Sequence, residues 1–126
     1  MNKWVLMILL TVISFSAMAD WIEFGHNPDF TGYVDSVRVS RAGNLVRVTS
    51  LIDYKAAKTD AGRTFLSVKA QHEFNCTEAQ VRKFYLAEYS GSMGKGEIVR
   101  VSYKIDDFEP IQPFSILEQL WKAACE

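Results

Sequence analysis

Two stretches of this chain alternate apolar and polar side chains with a period of two, and that pattern confines the fold to one built on β-sheet. In residues 45–54, Val46, Val48, Ile52 and Tyr54 share one side with Ser50 among them, while Arg47, Thr49 and Asp53 point the other way. In residues 64–74, Leu66, Val68, Ala70 and Phe74 fall on one side, and Ser67, Lys69, Gln71 and Glu73 on the other. Successive strand residues face opposite sides of a sheet, so each pattern predicts a strand with one buried and one wetted face. The same register carries His72 to the inner side.

Shorter segments complete the outline. Residues 21–24 read as a strand, 26–29 as a turn, and 33–39 as a loosely alternating strand. Gly43-Asn44 between apolar runs signals a hairpin. Residues 55–62 are small and polar and read as a loop. Residues 81–89 and 98–105 supply two more strands. Between them Gly91, Gly94 and Gly96 weaken any regular element, so residues 90–96 read as a loop. The C-terminus changes period. Ser115 and Glu118 stand at the N-cap and N3 positions of a capping box, and Ile116, Leu117, Leu120, Trp121 and Ala124 recur at helical spacing. The spacing predicts a helix over 116–125. The fold class is therefore α+β: an antiparallel sheet of about five to six strands with a C-terminal helix.

Residues 1–19 carry an address. Lys3 precedes an apolar run from Trp4 to Phe15, and Ser16-Ala17-Met18-Ala19 ends in the small-x-small pattern that signal peptidase reads. The run is shorter than the about 20 residues a membrane-spanning helix needs, so the expectation is a secretory signal peptide cleaved before Asp20. Residues 20–126 then form one domain, with no integral membrane segment. An even cysteine count in an exported chain reads as a disulfide, here Cys76 to Cys125, tying the helix end to a strand end. Free thiols or metal ligation are the alternatives, and they lack a C-x-x-C and enough histidines. The bond closes a loop of about 50 residues, worth roughly 4 kcal/mol in the chain-entropy account. Charge is balanced, 14 Lys and Arg against 15 Asp and Glu. A nucleic-acid binder normally shows a basic face, and none is expected here.

Candidate chemistry is sparse. The segment Gly91-Ser92-Met93-Gly94-Lys95-Gly96 superficially matches a phosphate loop, but Lys95 is followed by glycine and a strand, not by Ser or Thr and a helix. His26 lies in a turn, and His72 reads as a hydrogen-bonded core histidine. No nucleophile motif is present, so no catalytic residue, cofactor or metal is expected. Asp106, Asp107 and Glu109 read as a solvated strand end, too few for a calcium loop. The remaining signal is a surface. Phe65 and Leu51 fall on the outward register, and with Phe84 and Leu86 they would form an exposed apolar patch near Arg47, Arg82 and Lys83. Apolar patches with aromatics and arginine mark partner surfaces. The candidate binding surface is Arg47, Phe65, Lys69, Arg82, Phe84 and Lys95, unless the helix covers this face.

One ordered set of residues resembles a known family. Asp53-Tyr54, Phe74-Asn75-Cys76, Val81-Arg82, Tyr89-Ser90-Gly91-x-Met93-Gly94-x-Gly96, Pro110-Ile111-x-Pro113, Leu120-Trp121 and Cys125 together resemble the surface-adhesin protein E family, small exported proteins of Gram-negative bacteria. The resemblance implies an antiparallel sheet with a C-terminal helix held by a Cys76–Cys125 bridge. It implies a non-enzymatic binding protein of the envelope, adhering to host extracellular-matrix or serum proteins, and it brings no catalytic residues. A lipid-anchored member would carry Cys where this chain has Asp20. The alternative is a periplasmic structural or accessory protein without a host ligand.

Overall fold

The computed structural model describes residues 19–126. The expected leader, but for Ala19, lies outside the described residues. Eight strands and one helix follow in order: β1 Trp21–His26, β2 Phe30–Asp35, β3 Ser40–Ala42, β4 Leu45–Asp60, β5 Arg63–Asn75, β6 Gln80–Tyr89, β7 Ile98–Ser102, β8 Glu109–Pro110 and α1 Ile116–Cys125. They form one antiparallel sheet in the order β1-β2-β4-β5-β6-β7, with β3 paired to β4 and β8 to β6. The class is as expected; the strand count exceeds it because β3 and β8 are short additions that period-two reading does not register.

Three boundaries differ from the sequence reading. The strand expected over 33–39 starts at Phe30 and ends at Asp35. That expected over 98–105 stops at Ser102. Residues 55–62 are not a loop: β4 runs on to Asp60, and only Ala61 and Gly62 turn. Both have positive φ, 49° and 79°, as a two-residue hairpin turn of the primed type requires. This end of the hairpin is held by the ladder to β5, with Lys58 opposite Phe65 and Asp60 opposite Arg63, so burial leaves no periodic trace.

The β4–β5 register sets the two faces. Val46 lies opposite Phe74 and Val48 opposite His72 on one side; Arg47 lies opposite Glu73, Leu51 opposite Lys69 and Asp53 opposite Ser67 on the other. The helix takes the first side. Leu120 and Ala124 pack with Val46, Val48, Phe74 and Val81 into the core. Ser115 caps the helix, its Oγ accepting from the Glu118 N–H at 3.1 Å. Glu118 returns the favour one residue early, Oε1 accepting from the Phe114 N–H at 3.2 Å. The Cys76–Cys125 disulfide closes the far end, with a Cα–Cα distance of 5.7 Å.

The second side is not the wetted face the alternation predicts. The glycine-rich segment folds back onto it through a single 3₁₀ turn, Ser92–Gly94. The Met93 N–H donates to Asp53 Oδ1 at 2.8 Å and the Gly94 N–H to Ser67 Oγ at 2.9 Å, while the Ser67 hydroxyl donates to the Gly91 carbonyl at 2.7 Å. Gly94 sits at φ 69° above Leu51, where a Cβ would stand 3.6 Å from the leucine methyl. Leu51 is consequently fully buried, not part of an exposed patch. Phe65 is buried as well, set edge-on to Tyr54, which is in turn edge-on to Phe30.

Candidate functional site

On the side away from the helix, two arginines converge on one carboxylate. Arg47 comes from β4, Glu73 from β5 and Arg82 from β6, and the antiparallel register sets the three side by side. Arg47 Nε donates to Glu73 Oε2 at 2.8 Å. Arg82 donates to Oε1 through Nε at 2.9 Å and through Nη2 at 2.6 Å. Glu73 is buried, whereas the Arg47 side chain is 55% exposed. Burial opposes ionisation of Glu73, but its bonds from Arg47 and Arg82 outweigh that, so its carboxyl sits below the ordinary range. With one negative and two positive charges, the cluster carries a net positive charge at neutral pH.

Each guanidinium also rests on an aromatic ring. Arg47 lies 4.8 Å from the centroid of Phe84, and Arg82 lies 4.5 Å from that of Phe108. Phe84 reaches this position through a β-bulge. The β5–β6 register pairs His72 with Lys83 and Gln71 with Tyr85, which leaves Phe84 as the extra residue. Stacking and ion pairing together restrict side chains that would otherwise lose rotamer freedom on binding.

The sequence-derived surface is therefore partly assembled and partly dispersed. Arg47, Arg82 and Phe84 form one unit. Lys69 stands apart between the rings of Trp21 and Tyr89, at 5.8 and 5.4 Å from their centroids. Lys95 is exposed on the glycine turn, beside Gly94. Phe65 does not belong: it is buried against Tyr54. Glu73 and Phe108 were missed. Glu73 was legible as the only carboxylate on the outward register of its strand; Phe108 lies outside any regular element, so no periodicity marks it. Among the described residues, no group of three or more His, Cys, Asp or Glu is placed to hold a metal ion.

An antiparallel sheet whose last helix is tied back by one disulfide, with an arginine–aromatic cluster on the opposite face, has the form of a small binding domain. The surface-adhesin protein E family model matches residues 21–126, and the chain belongs to that family. Among solved structures, Haemophilus influenzae protein E is similar at 15% identity and a TM-score of 0.63, over 90% of this chain and 92% of that one. A second crystal form of that protein gives 15% identity and a TM-score of 0.65, over 90% and 96%. Protein E from non-typeable Haemophilus influenzae gives 14% and 0.62, over 89% and 79%. At such identities the likeness shows a shared fold. No curated protein matches the sequence. Family membership identifies an adhesin-like surface protein and implies export. No helix among the described residues is long and apolar enough to cross a membrane.

Proposed function

We propose that this chain is a non-enzymatic binding module of the bacterial envelope, exported by residues 1–19, that attaches to acidic segments of host matrix or serum proteins. The observation that carries this reading is the Arg47–Glu73–Arg82 cluster stacked on Phe84 and Phe108. Among the described residues Arg47 bonds only through Nε, which leaves both terminal nitrogens for an incoming carboxylate or sulfate. Arginine on a rigid aromatic support is the side-chain chemistry that dominates protein interfaces. Lys69 and Lys95 extend the basic character toward the glycine turn. Membership of an adhesin family supports a protein partner over a small substrate.

Surface plasmon resonance against a panel of purified matrix and serum proteins tests this, with a charge-matched protein as control. Binding should weaken as salt rises, and Arg47→Ala and Phe84→Ala should each reduce affinity about tenfold. Affinity no better than for the control, or untouched by both substitutions, rules the reading out.

A further inference from the structure

The segment 104–112 runs as a strap along the edge of β6 toward the start of the helix. The Asp106 N–H donates to the Lys83 carbonyl at 2.9 Å, and β8 pairs with β6 through Val81 opposite Glu109. At its far end the Ser115 hydroxyl donates to the Gln112 carbonyl at 2.6 Å. Between strap, sheet and helix start lies a cavity of about 550 Å³. That volume falls within the range of small-molecule sites, about 300–1,000 Å³.

Charges of both signs line this cavity. Lys83 and Lys104 contribute two ammonium groups; Asp106, Asp107 and Glu109 contribute three carboxylates. None of these five belongs to an ion pair among the described residues, whereas Arg82, which also lines the cavity, is committed to Glu73. His72 lies opposite Lys83 in the β5–β6 ladder and lines the same cavity. Its Nδ1 is sealed from solvent and has no hydrogen-bond partner. With no acceptor in reach of Nδ1, the proton of the neutral ring belongs on Nε2, which keeps a donor for a bound oxygen. Val81, Ile105 and Leu117 add apolar wall.

We propose that this cavity binds a small zwitterion of the amino-acid or short-peptide type. Lys83, Lys104 and His72 Nε2–H take its carboxylate. Asp106, Asp107 and Glu109 take its ammonium group, and Val81 and Leu117 cover its apolar part. A plain anion would meet the three carboxylates and a plain cation the two ammonium groups, whereas a zwitterion satisfies both sets. Arg82 also borders this cavity, but its guanidinium is taken up by Glu73 and Phe108, so the zwitterion site uses none of the groups that the adhesin reading leaves free for a partner.

The probe is alanyl-alanine, titrated into the ¹⁵N-labelled full chain and followed by amide chemical shifts. Saturable shifts at His72, Lys83 and Asp106 are expected. The N-acetylated and the C-amidated dipeptides should each bind about tenfold more weakly, since each lacks one charge-assisted bond. His72→Leu and Lys83→Met should weaken alanyl-alanine by a similar factor, with Lys83→Met at a half-exposed position serving if His72→Leu unfolds. No saturable shift up to about 10 mM ligand in a well-dispersed spectrum overturns the proposal, as does binding of either capped dipeptide as tight as that of the zwitterion.

Discussion

Burial lowers the pKa of His72 to about 4; the Lys83 ammonium adds to the effect and Asp106 opposes it. In the unfolded chain the same ring titrates near 6.5. Between those values the unfolded state holds a proton that the folded state lacks. The stability that His72 contributes is therefore complete above pH 6.5 and falls as pH drops toward 4, by at most about 1.4 kcal/mol per pH unit. Urea midpoints taken at about pH 7.5, 6 and 5 should decline in this order, and His72→Leu should flatten the decline. An equally steep decline in the variant would show that other groups drive it. Glu73 acts in a lower window: its pKa is depressed from 4.5, so its contribution is complete above that value, declines below it and is gone once pH has fallen through the lowered one. That His72 faces inward was legible from period two. That it has no partner for Nδ1 was not, because the groups around it come from β6 and the strap.

At the scale of elements, the glycine-rich turn shows where local signals stop. Three glycines announce a loop, but its landing site is set by Asp53 on β4 and Ser67 on β5, far away in sequence. Ser67 is fully buried and bridges two backbone groups of the turn, Gly91 and Gly94. Ser67→Ala should cost about 1–3 kcal/mol, since both backbone partners lose a bond that water cannot readily replace. Hydrogen exchange at the Gly94 amide should quicken in parallel; unchanged exchange would mean that Met93 and Asp53 hold the turn alone. The helix was easier to read. Its cap, its apolar stripe and its length are all local, and Ser115 and Glu118 perform the expected capping with one difference: Glu118 reaches Phe114, not Ser115. The β-bulge at Phe84 left no mark in the sequence, because an extra residue in one strand is defined only against its partner.

Across the whole molecule, one covalent bond links residues 49 positions apart and ties the helix end to the turn after β5. Cys76→Ser and Cys125→Ser should each lower stability by about 2–4 kcal/mol in the oxidised protein, read by thermal unfolding. The double variant should be no worse than either single, since all three lack the same bond; additive losses would give the two cysteines separate roles. This bond, the sheet and the helix all follow from the chain alone, because alternation, helical spacing and cysteine pairing are properties of neighbours or of a count. Which side of the sheet receives the helix is not such a property. Both sides of β4 and β5 offer apolar residues, and period two states only that they differ. The helix settles on Val46 and Phe74, and the glycine turn closes over Leu51. Arg47 meets Glu73 and Arg82 only because three strands align, and Phe108 arrives beneath Arg82 from outside any strand. Local sequence sets how each segment alternates; the burial of one face or the other is decided by which distant segment covers it.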